Sequence, residues 1–474
     1  MSESEDDDYP FEWRSGDLMT WIKQQVGARV SPKVELVDLR GRGAGRGVVA
    51  NTDINLNEEL FSIPLSAAFS VKTSSLLKTH LGPTVQRLDD WLALTLALLF
   101  EKGQGDRSKW SAYMNVFPAS FDTLMYWTQA ELDELKGCAV LDKIGKVDAE
   151  KAFTEQLVPF IKRNAYMFPQ FTASKEVNNI DATILRSAHV MATLIMAYAF
   201  DLEEELEDGA SDDDLSEVLK SQKAMVPLAD MFNADGDRNN AHLIQSADYL
   251  NMVALKSIRQ GEEIFNDYGQ LPRSDLLRRY GYVTDRYKNW DVVEISVDLV
   301  FRVVFDRHRF DDESKKQRLG LAQQQWHISS DSFELTRNQT STGFEFDPAL
   351  YLLVDALTMD AATLQEEIDA NETPEEPRFT LEMGVALREV LLTHLKSYKT
   401  TIAEDAALLQ DDHLAKRLRM AVEVRLGEKE LIAIAMDGLQ NRVEDMSGGL
   451  KRIDETRERE DERVQTAQSK KRKI

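Results

Sequence analysis

Two distant stretches of this chain read alike: ANTDINLNEELF (50–61) and ALKSIRQGEEIF (254–265) align without a gap, sharing Ala, Ile, a Glu pair and Phe at matching places. Each has a β-like run, a polar turn centred on Asn or Gly, and a second β-like run, which predicts a hairpin-like unit. A chain carrying two such units about two hundred residues apart has to build its sheet domain from two pieces, with the intervening segment as an insertion.

The intervening segment changes character. Residues 86 to 200 carry helical spacing: WLALTLALLF from Trp91, TQAELDELKGCAVL, and a segment from Ile180 that Asp181 would cap. The apolar runs at 91–100 and 188–200 fall short of the roughly 18–20 residues a bilayer span requires, which predicts buried helices and no membrane association. The insert, about 86–222, ends in DLEEELEDGASDDDLSE (201–217), too acidic to pack and expected as an exposed loop. Beyond about residue 300 the pattern is nearly all helical, with amphipathic ALREVLLTHLKSY and LAKRLRMAVEVRLGEKELIAIAMDGL separated by the loop DANETPEEPRF. The expected organisation is an acidic N-terminal tail (1–17), a sheet domain with its insert (18–290), a helical domain (300–450) and a charged tail (451–474). The 474 residues exceed what one hydrophobic core holds, in keeping with more than one domain.

Charge narrows the partners. With 82 acidic residues against 57 basic ones, the formal charge of −25 opposes direct nucleic-acid binding and favours a basic protein partner. One cysteine, Cys138, and seven scattered histidines exclude a disulfide framework and predict no metal site, as in a reducing compartment. MSESEDDDYPFEW lacks the basic start and apolar stretch of a secretory signal. SKKRKI at the C-terminus is a basic cluster of the nuclear-import kind or a solvated tail offsetting nearby acid.

Three motifs carry candidate chemistry. LRGRGAGRGVVA (39–50) places glycines at 41, 43, 45 and 47, outside the G-x-G-x-x-G register and without a following Gly-Lys-Ser/Thr, so it is no phosphate-cradling loop. Between β-like runs it either lets backbone groups approach a ligand or is simply a flexible turn. PLADMFNAD (227–235) ends an apolar segment on Asn233, whose carboxamide can hold a ligand amine or form an Asx turn. EEIFNDYGQLPRSDLLRRYGYV (262–283) clusters Tyr268, Tyr280 and Tyr282, able to line a narrow hole or pack in a core. A short helix from Ser274 to Tyr280, capped by Ser274 and stopped by Gly281, is expected within it.

Glycine turn, DMFN, NDYG and RRYGYV, in that order and interrupted by a helical insert, resemble the SET-domain protein-lysine methyltransferases. The split domain followed by helices that include RMAVEVRLGEKELI is similar to the branch of the Rubisco large-subunit methyltransferase. Within it, PLADMFNADGDRNNA and LLRRYGYV most resemble the fungal members that act on ribosomal proteins. The resemblance implies an α+β fold: a small SET-type β-sheet domain split by a helical insert and followed by an all-α C-terminal substrate-binding domain.

It also implies S-adenosylmethionine as cofactor, contacted through the backbone of Ala44, Gly45 and Arg46, by Asn233 and Ala234, and by Tyr198 and Tyr268. Tyr268 would be the catalytic tyrosine. Trp91, Ala199, Asp201, Tyr280 and Tyr282 would meet the substrate, a lysine of a basic, ribosomal, large-subunit protein that receives one methyl group. A nuclear location, with the cytoplasm as a second one, and a monomeric state complete the expectation. Ala234 departs from the family, which usually has histidine there. A non-catalytic scaffold that keeps the fold to bind peptides is the alternative.

Overall fold

The computed structural model describes residues 11–25, 27–42, 44–118, 120–172, 179–203, 221–338, 342–375 and 377–471, without the side chains of 42, 221 and 449 onward. The chain divides into two compact units. One comprises 1–126, 145–270 and 278–281, the other 127–144, 271–277 and 282–474.

Among the described residues the first unit holds nine strands: β1 (Arg29–Val30), β2 (Val34–Asp38), β3 (Arg46–Ala50), β4 (Glu59–Pro64), β5 (Ala199–Glu203), β6 (Ser221–Met225), β7 (Ala241–Gln245), β8 (Tyr249–Ala254) and β9 (Glu263–Ile264). They form three antiparallel sheets, ordered β1-β4-β8-β7, β2-β3-β9 and β5-β6.

The two similar stretches do not fold as hairpins. Each sends its two strands into different sheets, where they pair with strands of the other stretch: β3 with β9 and β4 with β8. The exchange is reciprocal. Equivalent residues Ile54 and Ile258 bond each other's backbone at 2.8 and 2.9 Å. The Ala50 amide donates to Glu262 O as the Ala254 amide donates to Glu58 O, and Gly261 donates to Ala50 O as Asn57 donates to Ala254 O. Even the side chains follow, Glu58 accepting from the Asn55 amide at 3.0 Å and Glu262 from the Arg259 amide at 2.9 Å.

A local two-fold axis thus passes between Ile54 and Ile258, both 1% exposed. The hairpin expectation fails because the backbone groups of each copy are satisfied by its mate rather than across its own turn. The exchange sets the start of β3 next to the end of β9, so chain about two hundred residues apart converges.

The insert packs helix Asp90–Gln104 against helix Ile180–Tyr198 in the core of this unit. Asn179, not Asp181, caps the second helix, accepting from the Ala182 amide at 3.1 Å, with Asp181 one step inside. That helix is longer than its apolar run: its 19 residues are long and apolar enough to cross a membrane by length and composition alone. Ile184, Ala188, Met191, Leu194 and Ile195 are nevertheless buried in the protein core. Of the acidic stretch 201–217, residues up to Glu203 form β5, and the remainder lies outside the described residues. Helix Phe11–Gln24 begins within what the sequence reads as an N-terminal tail.

The second unit is mainly helical, with helices Val297–His308, Pro348–Thr358, Leu381–Leu395 and Lys416–Lys471 among its elements. Its helical pattern masks a three-stranded antiparallel sheet of β10 (Val292–Ser296), β11 (Ser332–Arg337) and β12 (Phe344–Phe346). Fully buried Arg425 and Lys429 share the carboxylate of Asp405, and Glu134 gives Arg425 a second acceptor. The backbone of the charged tail is helical as far as Lys471, and the last three residues of SKKRKI lie outside the described residues.

The two-fold yields a direct test at its turns, where Asn57 (φ 63°) and Gly261 (φ 84°) hold equivalent left-handed positions. A Cβ on Gly261 meets no atom within 4 Å, so substitution there costs conformation alone. Gly261→Ala should destabilise by about 1–2 kcal/mol, and Gly261→Asn by visibly less, because asparagine tolerates this region. Thermal unfolding of both variants measures the difference; equal losses would contradict it.

Candidate active site

Asn233 follows a short 3-10 turn, Ala229–Met231, and its side-chain nitrogen ties two remote strands together. Nδ2 donates to the Arg46 carbonyl at 3.2 Å and to Glu263 Oε1 at 2.8 Å. Both neighbours are acceptors only, so the NH₂ end must face them and Oδ1 turns the other way. Gly47 lies under this junction. A Cβ there would stand 2.3 Å from Leu39 Cδ1, 3.0 Å from Asn233 Nδ2 and 3.1 Å from Glu263 Oε1, so a larger residue requires the Leu39 side chain to move and crowds the junction. A Cβ on Gly45, by contrast, would meet no atom within 4 Å, and the turn is open on that side.

Residues 233–235 run parallel to Asn266. The Asn266 amide donates to Asn233 O at 2.9 Å, and the Asp235 amide donates to Asn266 O at 3.3 Å. In such a bridge the N–H and C=O of the middle residue, Ala234, point to the opposite side. Two residues on, the Tyr268 hydroxyl donates to the Phe232 carbonyl at 3.3 Å. Its ring stacks on Tyr280, with centroids 4.6 Å apart and planes 18° from parallel. Gly281 (φ 76°) ends the helix that carries Tyr280, and a Cβ on it would meet the backbone of Asp122 and Thr123 at 2.8 Å. That helix starts at Arg273, with its first bonds to Pro272 O, so Ser274 lies inside it and is not its cap.

A buried polar layer underlies the asparagine. Leu228, wholly buried, is held at φ 76°, a conformation costly for a branched residue, and turns the chain into Asp230. Burial pushes the Asp230 carboxyl up to about 7, and the Tyr113 hydroxyl donates to its Oδ2. Tyr198 is pushed up to about 12, first by burial and then by the nearby Asp230 carboxylate, with Arg46 acting in the opposite sense. The Arg46 guanidinium lies 3.8 Å over the Phe11 ring and donates to Ser15 Oγ at 3.0 Å and Val116 O at 2.8 Å. Burial, with Arg14 and Arg40 nearby, lowers it to about 10.

Arg46, Asn233, Ala234, Tyr268 and Tyr280 are therefore joined by contact, and Tyr198 belongs to the layer beneath. Ala199 and Asp201 start β5, the strand that continues from Tyr198, and Asp201 is paired with Lys223 at 2.6 Å. Trp91 packs within the insert, its ring stacked on Phe153 at 5.2 Å. Tyr282 is half-buried and belongs to the second unit. Sequence reasoning missed Glu263, Asp230, Tyr113 and Phe11. For Glu263 a signal existed, a carboxylate held inside a β-like run at a place repeated in the other copy.

The SET domain family matches residues 45–269, and the Rubisco LSMT substrate-binding family matches 311–432. Ribosomal lysine N-methyltransferase 4 of Saccharomyces cerevisiae is 33% identical over 359 residues, covering 72% of this chain and 71% of that protein. The chain belongs to the SET-domain protein-lysine N-methyltransferases. N-lysine methyltransferase SETD6 of Mus musculus is 29% identical over 447 residues, 88% of each chain. A structure of Rubisco LSMT bound to AdoMet has the same fold, with a TM-score of 0.65, 18% identity and coverage of 91% and 92%. Another Rubisco LSMT structure, bound to sinefungin and monomethyllysine, gives 0.64 at 19% identity, with coverage of 90% and 92%. As a SET-domain methyltransferase the chain uses S-adenosylmethionine as methyl donor.

The residues present fit that cofactor. Gly45 leaves open space beside the turn, the outward N–H and C=O of Ala234 offer a donor and an acceptor, and Asn233 Oδ1 offers another acceptor. Because the bridge to Asn266 uses only backbone, alanine in place of histidine leaves it intact.

The Asp230 carboxyl gives a pH signature. Its folded pKa, raised above the unfolded value, favours the folded state while protonated, and this contribution fades as pH rises from about 4 through about 7. The Tm of Asp230→Asn relative to the wild type should therefore rise across that range. A constant or falling difference would contradict the burial argument.

Proposed function

We propose that this methyltransferase places one methyl group on a lysine of a basic large-subunit ribosomal protein, acting in the nucleus and also in the cytoplasm, with Tyr268 as its catalytic tyrosine. The observation that carries the reading is the convergence of Arg46, Asn233 and Tyr268 on one junction. Support for the substrate comes from the name of the yeast relative, the acidic charge of −25 and the basic C-terminal cluster.

S-adenosylmethionine supplies an electrophilic methyl carbon on a sulfonium. Asn233, Ala234 and the backbone of Ala44, Gly45 and Arg46 would hold it, with Tyr198 packed against it. The protein's first task is to bring the lysine nitrogen close and in line, which an aromatic wall at Tyr268 and Tyr280 would do. A lysine in water has a pKa of about 10.4 and, protonated, has no lone pair with which to attack. Desolvation beside the stacked tyrosine rings, next to a fixed positive charge, would lower that value and make the neutral amine accessible, the proton leaving through water.

The Tyr268 oxygen could accept weak hydrogen bonds from a polarised methyl group and would support positive charge as it spreads in the transition state. Phenylalanine offers no such oxygen. The close stack of Tyr268 on Tyr280 restricts the room around the nitrogen and favours a single methylation. Ala199, Asp201 and Trp91 would contact the protein substrate outside the channel.

The test is label transfer from isotopic S-adenosylmethionine to large-subunit ribosomal proteins from cells lacking this gene. Mass spectrometry should find monomethyl-lysine, and Tyr268→Phe should lower kcat by about a hundred-fold or more with cofactor affinity little changed. No label with a folded enzyme would overturn the substrate, and near-normal turnover by Tyr268→Phe would overturn the role of the phenol.

A further inference from the structure

Among the described residues no strand covers the β5 edge of the β5-β6 ribbon, and a side chain occupies part of it. The Gln245 carboxamide accepts from the Glu203 amide at 2.9 Å and donates to the Glu203 carbonyl at 2.7 Å. Both backbone groups of one residue are thus met by a single planar amide, which reproduces what a neighbouring strand's peptide group would do. Along an antiparallel pair the bonding direction alternates residue by residue. Asp201, two residues before Glu203, therefore turns its own N–H and C=O to the same edge, and among the described residues nothing pairs with them there.

That edge borders a cleft of about 190 Å3. Asn266 and Asp267, the residues that lead into Tyr268, line it together with His242 and Leu243, and Asp201 and Asp267 give it two carboxylates with no lysine or arginine among its lining residues. Lys223 already shares the Asp201 carboxylate, and the Gly269 amide donates to Asp267 Oδ1, but both acidic side chains remain exposed.

We propose that Gln245 is a specificity-determining stop. The segment flanking the target lysine adds to the β5 edge as an extended strand, pairs with Asp201, and is halted at Glu203 because the carboxamide already fills that place. The inference rests on the lysine-methyltransferase reading and commits to an occupant: an extended segment of the protein substrate, cationic beside the lysine, whose backbone completes the ladder and whose charge meets Asp267. A lysine presented on a helix could not use this edge, because its backbone groups are already bonded within the helix.

Two readouts test it on the full chain. Hydrogen exchange should find the Glu203 amide protected in the free protein, and the Asp201 amide protected only when a basic single-lysine peptide is added at saturating concentration. Steady-state kinetics then uses a nested series of arginine- and alanine-flanked single-lysine peptides, lengthened one residue at a time toward either end. For the wild type, KM should stop improving once the peptide reaches Asp201. In Gln245→Ala, which frees the Glu203 backbone, the next residues should lower KM by about five-fold more, the worth of a further pair of backbone bonds.

Gln245→Glu, whose carboxylate still accepts from the Glu203 amide but cannot donate to its carbonyl, frees one of the two backbone groups and should show part of the alanine variant's gain. Identical length dependence in all three proteins, or an Asp201 amide that exchanges equally fast with bound peptide, overturns the proposal. Failure of the wild type to methylate any peptide or protein would instead count against the enzymatic reading, with hydrogen exchange still deciding whether the edge is where a strand docks.

Discussion

One carboxamide group holds the candidate active site together. Asn233 Nδ2 spans the Arg46 carbonyl and the Glu263 carboxylate, groups that come from opposite ends of the sheet domain. A hydrogen bond contributes only about 1 kcal/mol net, yet leaving a buried partner unmet costs more, so the asparagine is worth more as a fixture than as an attraction. With NH₂ committed to the protein, Oδ1 and the backbone of Ala234 are oriented outward without having to be ordered by a ligand. Gly47 fits closely under the same junction, where a Cβ would crowd Leu39 first and then Asn233 Nδ2 and Glu263 Oε1.

The fold supplies this junction through the reciprocal exchange around Ile54 and Ile258. β3 and β9 are edge to edge because the two similar stretches swap strands, and the chain leaving β9 then runs through Asn266 to Tyr268. The insert contributes from beneath, delivering Tyr113 and Tyr198 to the buried carboxyl of Asp230. Three chain segments with no sequence proximity are thereby fastened together by short polar contacts.

Much of this was legible in the sequence, and the limits have physical reasons. The motifs singled out Asn233, Tyr268 and the glycine turn as candidates, and Gly281 was readable as a helix stop because only its backbone state matters. The resemblance of 50–61 to 254–265 was visible, but its meaning was not: alternation predicts strands, while the choice between pairing across a turn and pairing with a distant copy depends on tertiary contacts. Asp181 and Ser274 looked like caps because either side chain can serve, and the bonds accepted by Asn179 and by Pro272 O decide two residues earlier. The β10-β11-β12 sheet was lost among helices because its strands are short and far apart. Glu263, Tyr113 and Asp230 act through partners that no local pattern reveals.

The central claim is that the junction at Asn233 forms the cofactor site, and calorimetric titration with S-adenosylmethionine addresses it most directly. The wild type should show saturable heat at a single site, and Asn233→Ala, confirmed as folded by its circular dichroism, should bind about ten-fold more weakly or worse. Absence of heat with the wild type, or equal affinity in the variant, would contradict the account.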